Sequence, residues 1–225
     1  CYDRLLASRP YRDAYRDALG AGAGQRLVVV TSHWGAGSLF ARWPGLPRRL
    51  AAELADEGAR VVAILHPHVW VWHGRRQVAA WLADAIRSGV LVLPPEEGWR
   101  AALVAADVVV GDRCSVTRYG AALGLPVLLT PGDDAVIPGT QYALLAEIAP
   151  RLNPDAPLAA QLASAGAAWS GVDVAALRES LTSVPGRSAA IIRGEIYRML
   201  GLDEPESPPV AEPVPYPRPI GVGVR

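Results

Sequence analysis

The sequence predicts an α/β fold: a doubly wound parallel sheet of five strands, followed by extra helices and a proline-rich tail. Five short runs of valine, isoleucine and leucine recur between residues 27 and 130, and turn-forming residues bound each of them. Short continuous apolar runs are typical of parallel strands that are buried on both faces. Segments of helical period lie between the runs, and regular alternation of strand and helix favours parallel pairing through crossover helices.

Residues 107–130 carry the clearest strand–helix–strand unit. Its first strand is predicted over Val108–Val110 and its second over Val127–Leu129. A short helix is predicted over Val116–Leu123, with Ser115 as its N-cap. Because such crossovers are right-handed, the polar turn between strand and helix lies at the carboxyl end of the sheet. Ligands of open α/β sheets bind at that edge.

The other elements follow from the same patterns. Strands are predicted over residues 27–31, 61–65 and 90–93, with the first of them in the centre of the sheet. Helices are predicted over residues 47–57, 77–88, 99–106, 142–148, 155–168, 173–181 and 188–200. In the second of these helices, Trp81, Leu82 and Ile86 are predicted to face the core.

These elements divide the chain into four parts. Residues 1–25 are predicted to form an incoming helix and a glycine-rich linker, residues 26–150 the sheet domain, and residues 151–203 a group of C-terminal helices. Residues 204–225 are rich in proline and show no apolar period. This tail is therefore predicted to be disordered and to make no core contacts.

Charge and composition exclude several classes of function. The chain has 22 basic and 22 acidic residues, so its net charge is zero and gives no reason to expect nucleic acid as a partner. All of the basic residues are arginine, which excludes a P-loop lysine, a Schiff-base lysine and a Ser–Lys dyad. Any phosphate of a ligand must then be held by arginine, by backbone N–H groups or by a helix N-terminus.

No resident metal or cofactor is expected. The two cysteines are far apart and neither a CxxC nor an HExxH motif occurs, so a zinc site has no identifiable ligand set. Two isolated cysteines in a chain of this size favour a reducing cytoplasm over a disulfide scaffold. No apolar run approaches the length of a transmembrane helix.

Polar residues follow each of the five predicted strands and should converge on one edge of the sheet. Three of the four histidines lie on two of these turns, which raises the expectation that a histidine contacts a ligand. Paired acidic residues, Glu96–Glu97 and Asp133–Asp134, follow the third and fifth strands. The candidate ligand contacts are Ser32, His33, Trp34, Gly35, His66, His68, Glu97, Asp112, Arg113, Cys114, Ser115, Val116, Thr117 and Asp133.

Three of these turns resemble motifs of one family. The chain is similar to the C-terminal, nucleotide-binding half of GT-B transferases, especially the CDP-glycerol glycerophosphotransferases of teichoic-acid synthesis. The resemblance covers about residues 27–130, and the matching motifs are Ser32-His33-Trp34, His66-Pro67, Asp112-Arg113-Cys114-Ser115-Val116 and the run from Ala122 to Val127. Cys114 and Tyr119 depart from the family pattern. The Asp-Ser-Gly-Gly turn of the sugar-nucleotide 2-epimerases, which share this fold, is absent and makes that relationship the weaker one.

The resemblance implies a Rossmann-like domain that binds a nucleotide-activated donor, either CDP-glycerol-like or UDP-sugar-like. It implies transfer of a polyol-phosphate or glycosyl group to a polymer acceptor in cell-wall synthesis, and it implies that the acceptor-binding half is not in this chain. The location implied is cytoplasmic, with peripheral association at the inner face of the membrane left open. Oligomeric state is not indicated.

Roles for the candidate residues follow from the same resemblance and from their chemistry. Ser115 and the N–H groups that open its helix would hold a pyrophosphate. His66 would donate a hydrogen bond to the leaving phosphate or act as the acid, and Asp112 would orient its loop. Three alternatives remain: a non-catalytic nucleotide-binding module, a scaffold whose proline-rich tail recruits a partner, and an epimerase-like enzyme.

Overall fold

The computed structural model describes residues 1–132, 136–207 and 212–220. Within these residues the sheet has five strands in the order β3-β2-β1-β4-β5, and every neighbouring pair is parallel. The strands are β1 (Leu27–Ser32), β2 (Arg60–Leu65), β3 (Leu91–Val92), β4 (Val108–Gly111) and β5 (Val127–Leu129). The predicted α/β class, the parallel pairing and the central position of the first strand are confirmed.

Helices cover both faces of this sheet. They are α1 (Tyr2–Ala7), α2 (Arg12–Ala18), α3 (Leu39–Arg42), α4 (Leu46–Glu53), α5 (Pro67–His73), α6 (Arg75–Arg87), α7 (Trp99–Ala105), α8 (Ser115–Ala122), α9 (Gln141–Ile148), α10 (Leu158–Trp169), α11 (Ala175–Leu181) and α12 (Ser188–Leu200). A short 3₁₀ turn, Arg9–Tyr11, divides the predicted incoming helix into α1 and α2. Pro10 lies in that turn, where its missing N–H and fixed φ interrupt the α-helical ladder.

The alternation of side chains along each strand explains the two cores. Leu27 and Val29 of the central strand belong to the core packed by α1, α2, α7, α8, α9 and α11. Val28 and Val30 belong to the core on the other face, packed by α3, α4, α5, α6 and α10. Because both faces are covered, all six residues of β1 are buried. This burial accounts for the continuous apolar runs in the sequence.

A close approach of α8 to β4 positions the turn between them. A Cβ atom at Gly120 would lie 2.8 Å from Val109 Cγ2, so the helix reaches the strand only because the residue is glycine. At the end of β4, a Cβ at Gly111 would collide with Thr117 and would lie 2.8 Å from Thr31 Cγ2. The start of α8 is therefore fixed directly above the carboxyl ends of β1 and β4.

The amino edge of the sheet is occupied by a contact between the incoming helix and β1. Asp107 Oδ2 accepts hydrogen bonds from Leu27 N at 2.7 Å and from Arg16 Nη1 at 2.9 Å. Arg12 also pairs with Asp107. These contacts tie the incoming helix to the amino end of the sheet.

Two local predictions are wrong in detail, and two short helices were missed. Cys114, not Ser115, is the N-cap of α8, and Ser115 is its first helical residue. Trp81 is 46% exposed, because the buried stripe of α6 is formed by Val78, Leu82 and Ala85 and the indole lies beside it. The short helices α3 and α5 were not predicted, since four and seven residues are too few to show a helical period.

The prediction that the tail makes no core contacts is also wrong for residues 212–220. Val214 is 3% exposed and belongs to the core beneath α1 and α2. Its carbonyl accepts a hydrogen bond from the Tyr15 hydroxyl at 2.7 Å, and its N–H donates to Ser8 Oγ at 3.1 Å. Ile220 N donates to Val92 O at 2.7 Å, which ties the tail to the end of β3. Residues 212–220 bury Val214 and Pro217 and otherwise dock through their backbone, so no apolar period was needed.

The described helices are all too short or too polar to cross a bilayer.

Candidate functional site at the carboxyl edge

The carboxylate of Asp112, just beyond β4, organises the carboxyl edge. It is buried and accepts three backbone hydrogen bonds: from His33 N at 2.9 Å, from Leu39 N at 2.8 Å and from Cys114 N at 3.1 Å. His33 N begins the loop after β1, Leu39 N lies where that loop enters α3, and Cys114 N lies in the turn before α8. One side chain therefore fixes two loops that are remote in sequence.

Two side chains from the end of β1 complete this cluster. Ser32 Oγ lies 3.3 Å from Asp112 Oδ2 and accepts a hydrogen bond from Phe40 N at 3.0 Å. His33 Nδ1 lies 3.0 Å from Asp112 Oδ2. Asp112 therefore has partners both in the loop after β1 and in its own turn.

His66 ends β2 on the same edge. Its N–H donates to Ser32 O at 3.0 Å, and its Nδ1 accepts a hydrogen bond from His68 N at 3.2 Å as the N-cap of α5. Partial burial lowers the pKa of His66, the neighbouring imidazoles of His68 and His33 lower it further, and Asp112 opposes the shift. The ring is therefore neutral at pH 7, with its proton on Nε2.

The turn between β4 and α8 presents a mixture of exposed and buried groups. Arg113 and Ser115 are exposed, whereas Val116 and Thr117 are buried beneath the helix. Cys114 is buried as well, and this burial raises the pKa of its thiol. Of these predicted contacts, the structure therefore leaves the Arg113 guanidinium and the Ser115 hydroxyl exposed, at the start of a helix whose first N–H groups have no partner within the helix.

Glu97, a predicted acidic contact, is not part of this cluster. Glu97 accepts hydrogen bonds from Gly98 N and Arg100 Nη1, both at 3.1 Å, which ties it to the start of α7. Asp133 falls outside the described residues.

An aromatic cavity of about 700 Å³ adjoins the cluster between the β1–α3 loop and helices α5 and α6. Trp34 forms part of its wall, with its ring centroid 5.0 Å from that of His68 and 5.5 Å from that of Trp72. The remaining lining includes Gly35, Ser38, Phe40, Val69, His73 and Trp81. The walls are mostly apolar and suit a ring or hydrocarbon group more than a charged one.

Trp72, which is 69% exposed beside this cavity, was not predicted from the sequence. A signal existed in the run Pro67–His73, where two tryptophans and two valines follow directly on a buried strand. That segment has too many apolar residues for an ordinary polar turn, and α5 buries Val69 and Trp70 but not Val71 and Trp72. Exposed aromatic residues beside a cavity are a usual mark of a binding surface.

The described part of the chain contains no candidate metal site. Over residues 1–132, 136–207 and 212–220, no three His, Cys, Asp or Glu side chains are grouped so as to hold an ion.

Comparison with known proteins gives a fold but no family. No protein-family model matches the chain, and no curated protein sequence matches it. Among solved structures, the wall teichoic acid polymerase TagF matches 88% of this chain and 50% of its own, at 15% identity and a TM-score of 0.59. A glycosyltransferase from Rickettsia africae ESF-5 matches 90% of this chain and 55% of its own, at 12% identity and a TM-score of 0.50.

The N-terminal domain of Candida albicans trehalose-6-phosphate phosphatase matches 85% of this chain and 45% of its own, at 13% identity and a TM-score of 0.50. The chain thus spans about half the length of the structures it matches. Sequence identities this low show only that the fold is shared. The chain has the Rossmann-like fold of one half of a GT-B glycosyltransferase, as the resemblance in its turns predicted.

Proposed function

We propose that this chain binds a nucleotide-activated donor at the carboxyl edge of its sheet, as part of a transferase that moves a polyol-phosphate or glycosyl group to a polymer acceptor. The observation that carries the proposal is the Asp112 cluster, which fixes the loop after β1 and the turn before α8 around the open end of the sheet. In open α/β folds that end is where nucleotides bind.

The phosphates of the donor would lie against the first turn of α8. Its N–H groups lack helical partners and its dipole favours an anion, while Ser115 and Arg113 add an exposed hydroxyl and an exposed guanidinium. The absence of lysine makes these groups the principal candidates. His66 would donate from Nε2 to an oxygen of the leaving phosphate, because its Nδ1 already accepts a hydrogen bond.

The identity of the donor is proposed at the level of its class. A CDP-glycerol-like donor is favoured by the likeness to TagF and by the Asp112–Val116 turn, and a UDP-sugar-like donor by the likeness to glycosyltransferases. The acceptor-binding half is proposed to lie outside these 225 residues. The experiment is a thermal-shift screen with CDP, UDP, GDP and ADP conjugates, because a ligand that binds the folded state alone raises its melting temperature.

Transfer by the full-length protein then separates a transferase from a module that binds nucleotide without turnover. Absence of any shift with all four nucleotides would contradict donor binding itself.

Replacing Ser115 by alanine is expected to raise the dissociation constant of the preferred nucleotide roughly 5- to 150-fold. A hydrogen bond to a charged group contributes about 1 to 3 kcal/mol, and the exposed hydroxyl is not needed for folding. Calorimetric titration measures the constant. Ser164→Ala, at an exposed position on α10, is the matched control and should bind as the wild type does. Wild-type affinity in Ser115→Ala would show that the phosphates do not bind at this turn.

A further inference from the structure

We propose that His33, held by Asp112, is the proton acceptor for the hydroxyl group of the acceptor substrate. This role rests on the proposed transferase function and adds a second catalytic histidine to it. The contacts that orient His33 differ from those that orient His66. The ring nitrogen that carries the proton decides what each histidine can do.

The surroundings of Asp112 indicate which ring nitrogen of His33 faces the carboxylate as a donor. The three backbone groups that contact the carboxylate, His33 N, Leu39 N and Cys114 N, can only donate, so Asp112 must accept from them as a carboxylate. His33 Nδ1, 3.0 Å from Asp112 Oδ2, must then donate as well. A neutral imidazole with its proton on Nδ1 has a free lone pair on Nε2. Asp112 therefore leaves His33 ready to accept a proton through Nε2.

The side chain of His33 is mostly buried but keeps some exposed surface. The side chain of His33 is 15% exposed. Within residues 1–132, 136–207 and 212–220, its Nε2 is not one of the buried side-chain atoms that lack a hydrogen-bond partner. Asp112 itself has a side-chain exposure of 7%, so its charge acts on the ring with little competition from water.

His66 has the opposite arrangement. Its Nδ1 accepts the N–H of His68 at 3.2 Å, so its proton is on Nε2 and it can donate. The two histidines end adjacent parallel strands, where Ser32 pairs with Leu65 in the register of β1 and β2. His33 is among the groups that lower the pKa of His66, so the two rings lie within electrostatic reach of each other. The carboxyl edge thus holds one histidine that can accept a proton, His33, and one that can donate a hydrogen bond, His66. Acid–base catalysis of group transfer needs both functions.

In the proposed step, one bond to the transferred group forms as another breaks, and one proton moves to His33. The hydroxyl oxygen of the acceptor forms a bond to the transferred group while its proton passes to His33 Nε2. The bond between the transferred group and the nucleotide phosphate breaks, and the leaving phosphate keeps the electron pair. His66 Nε2–H stabilises the resulting charge through a hydrogen bond. The imidazolium of His33, stabilised by Asp112, returns its proton to water after the products leave.

The first test needs no turnover. Nitrogen-15 NMR of the imidazole rings distinguishes the two neutral tautomers, and four histidines in the chain allow assignment by single substitutions. At about pH 8, the neutral form of His33 is expected to carry its proton on Nδ1 and that of His66 on Nε2. A proton on Nε2 of His33 would overturn the proposal and would leave donor binding at the edge untouched.

The second test separates a base from a structural residue. In His33→Asn the amide nitrogen can still donate to Asp112, but no proton acceptor replaces Nε2. The full-length transferase carrying this variant is expected to lose about 10²- to 10⁴-fold in kcat, with the donor dissociation constant within about two-fold of wild type. His33→Ala should regain activity when imidazole is added. Without added imidazole, the acidic limb of the pH–rate profile should disappear in both variants.

The groups that face His33 and shape that limb are Asp112 beyond β4, and His66 and His68 at the start of α5. Wild-type turnover in His33→Asn, or an unchanged acidic limb, would show that His33 only positions the loop. If instead the wild-type protein binds no nucleotide conjugate, donor binding fails and the tautomers of the two rings still decide the arrangement of the histidines.

Discussion

Replacing Asp112 by alanine is expected to lower the free energy of unfolding by about 3 to 5 kcal/mol, because it strands several buried donors at once. The backbone N–H groups of His33, Leu39 and Cys114 lose their acceptor, and Ser32 and His33 lose a side-chain partner. Each unpaired buried donor costs about 1 to 3 kcal/mol, and the costs are not additive when the loops relax. The β1–α3 loop and the start of α8 should loosen together.

Chemical denaturation measures this effect, and the melting temperature should fall roughly 6 to 20 °C for a protein of this length. Asp84→Ala is the control, since Asp84 is exposed and is paired with Arg87 on its own helix. Its loss should cost less than about 1 kcal/mol. A loss of similar size in the two variants would show that Asp112 does not hold the edge together.

Ending the chain after Asp203 is expected to cost about 2 to 4 kcal/mol, although the removed tail is rich in proline. Burial of a valine side chain contributes about 1.5 to 3 kcal/mol, and Val214 is almost fully buried. The hydrogen bonds of Val214 to Tyr15 and Ser8 contribute about 1 kcal/mol each, and the entropy of ordering the tail offsets part of this sum.

The melting temperature should fall by roughly 4 to 16 °C, measured by calorimetry. Val214→Ala in the intact chain is the matched variant: it keeps both hydrogen bonds and should lose less than the truncation does. A melting temperature unchanged within about two degrees after truncation would show that the tail is detached in solution.

The sheet was predictable because each strand is buried on both faces, so its apolar run is visible without alternation. The convergence of polar turns followed from parallel pairing, and the structure brings His33, His66 and Asp112 to one edge. Their roles toward a ligand stay predictions.

The details of the site were less accessible from the sequence. The donors that reach Asp112 are mostly backbone N–H groups, and no residue type signals where a backbone group points. The contacts of the tail were missed for the same reason, because they depend on the backbone carbonyl and N–H of Val214. Trp81 was misplaced by one position on its helix, since Val78, Leu82 and Ala85 form the buried stripe. A single residue moves the side chain by about 100° around an α-helix, which decides between core and surface.

The most direct measurement of donor binding at the carboxyl edge is an NMR titration of the backbone amides with the nucleotide conjugate that the thermal-shift screen selects. The amide resonances of Cys114, Ser115 and Val116 should shift most, because the phosphates are expected against the first turn of α8. The amides of Leu27 and Asp107 at the amino edge should remain in place. Shifts concentrated at the amino edge, with the α8 amides unmoved, would contradict donor binding at the carboxyl edge.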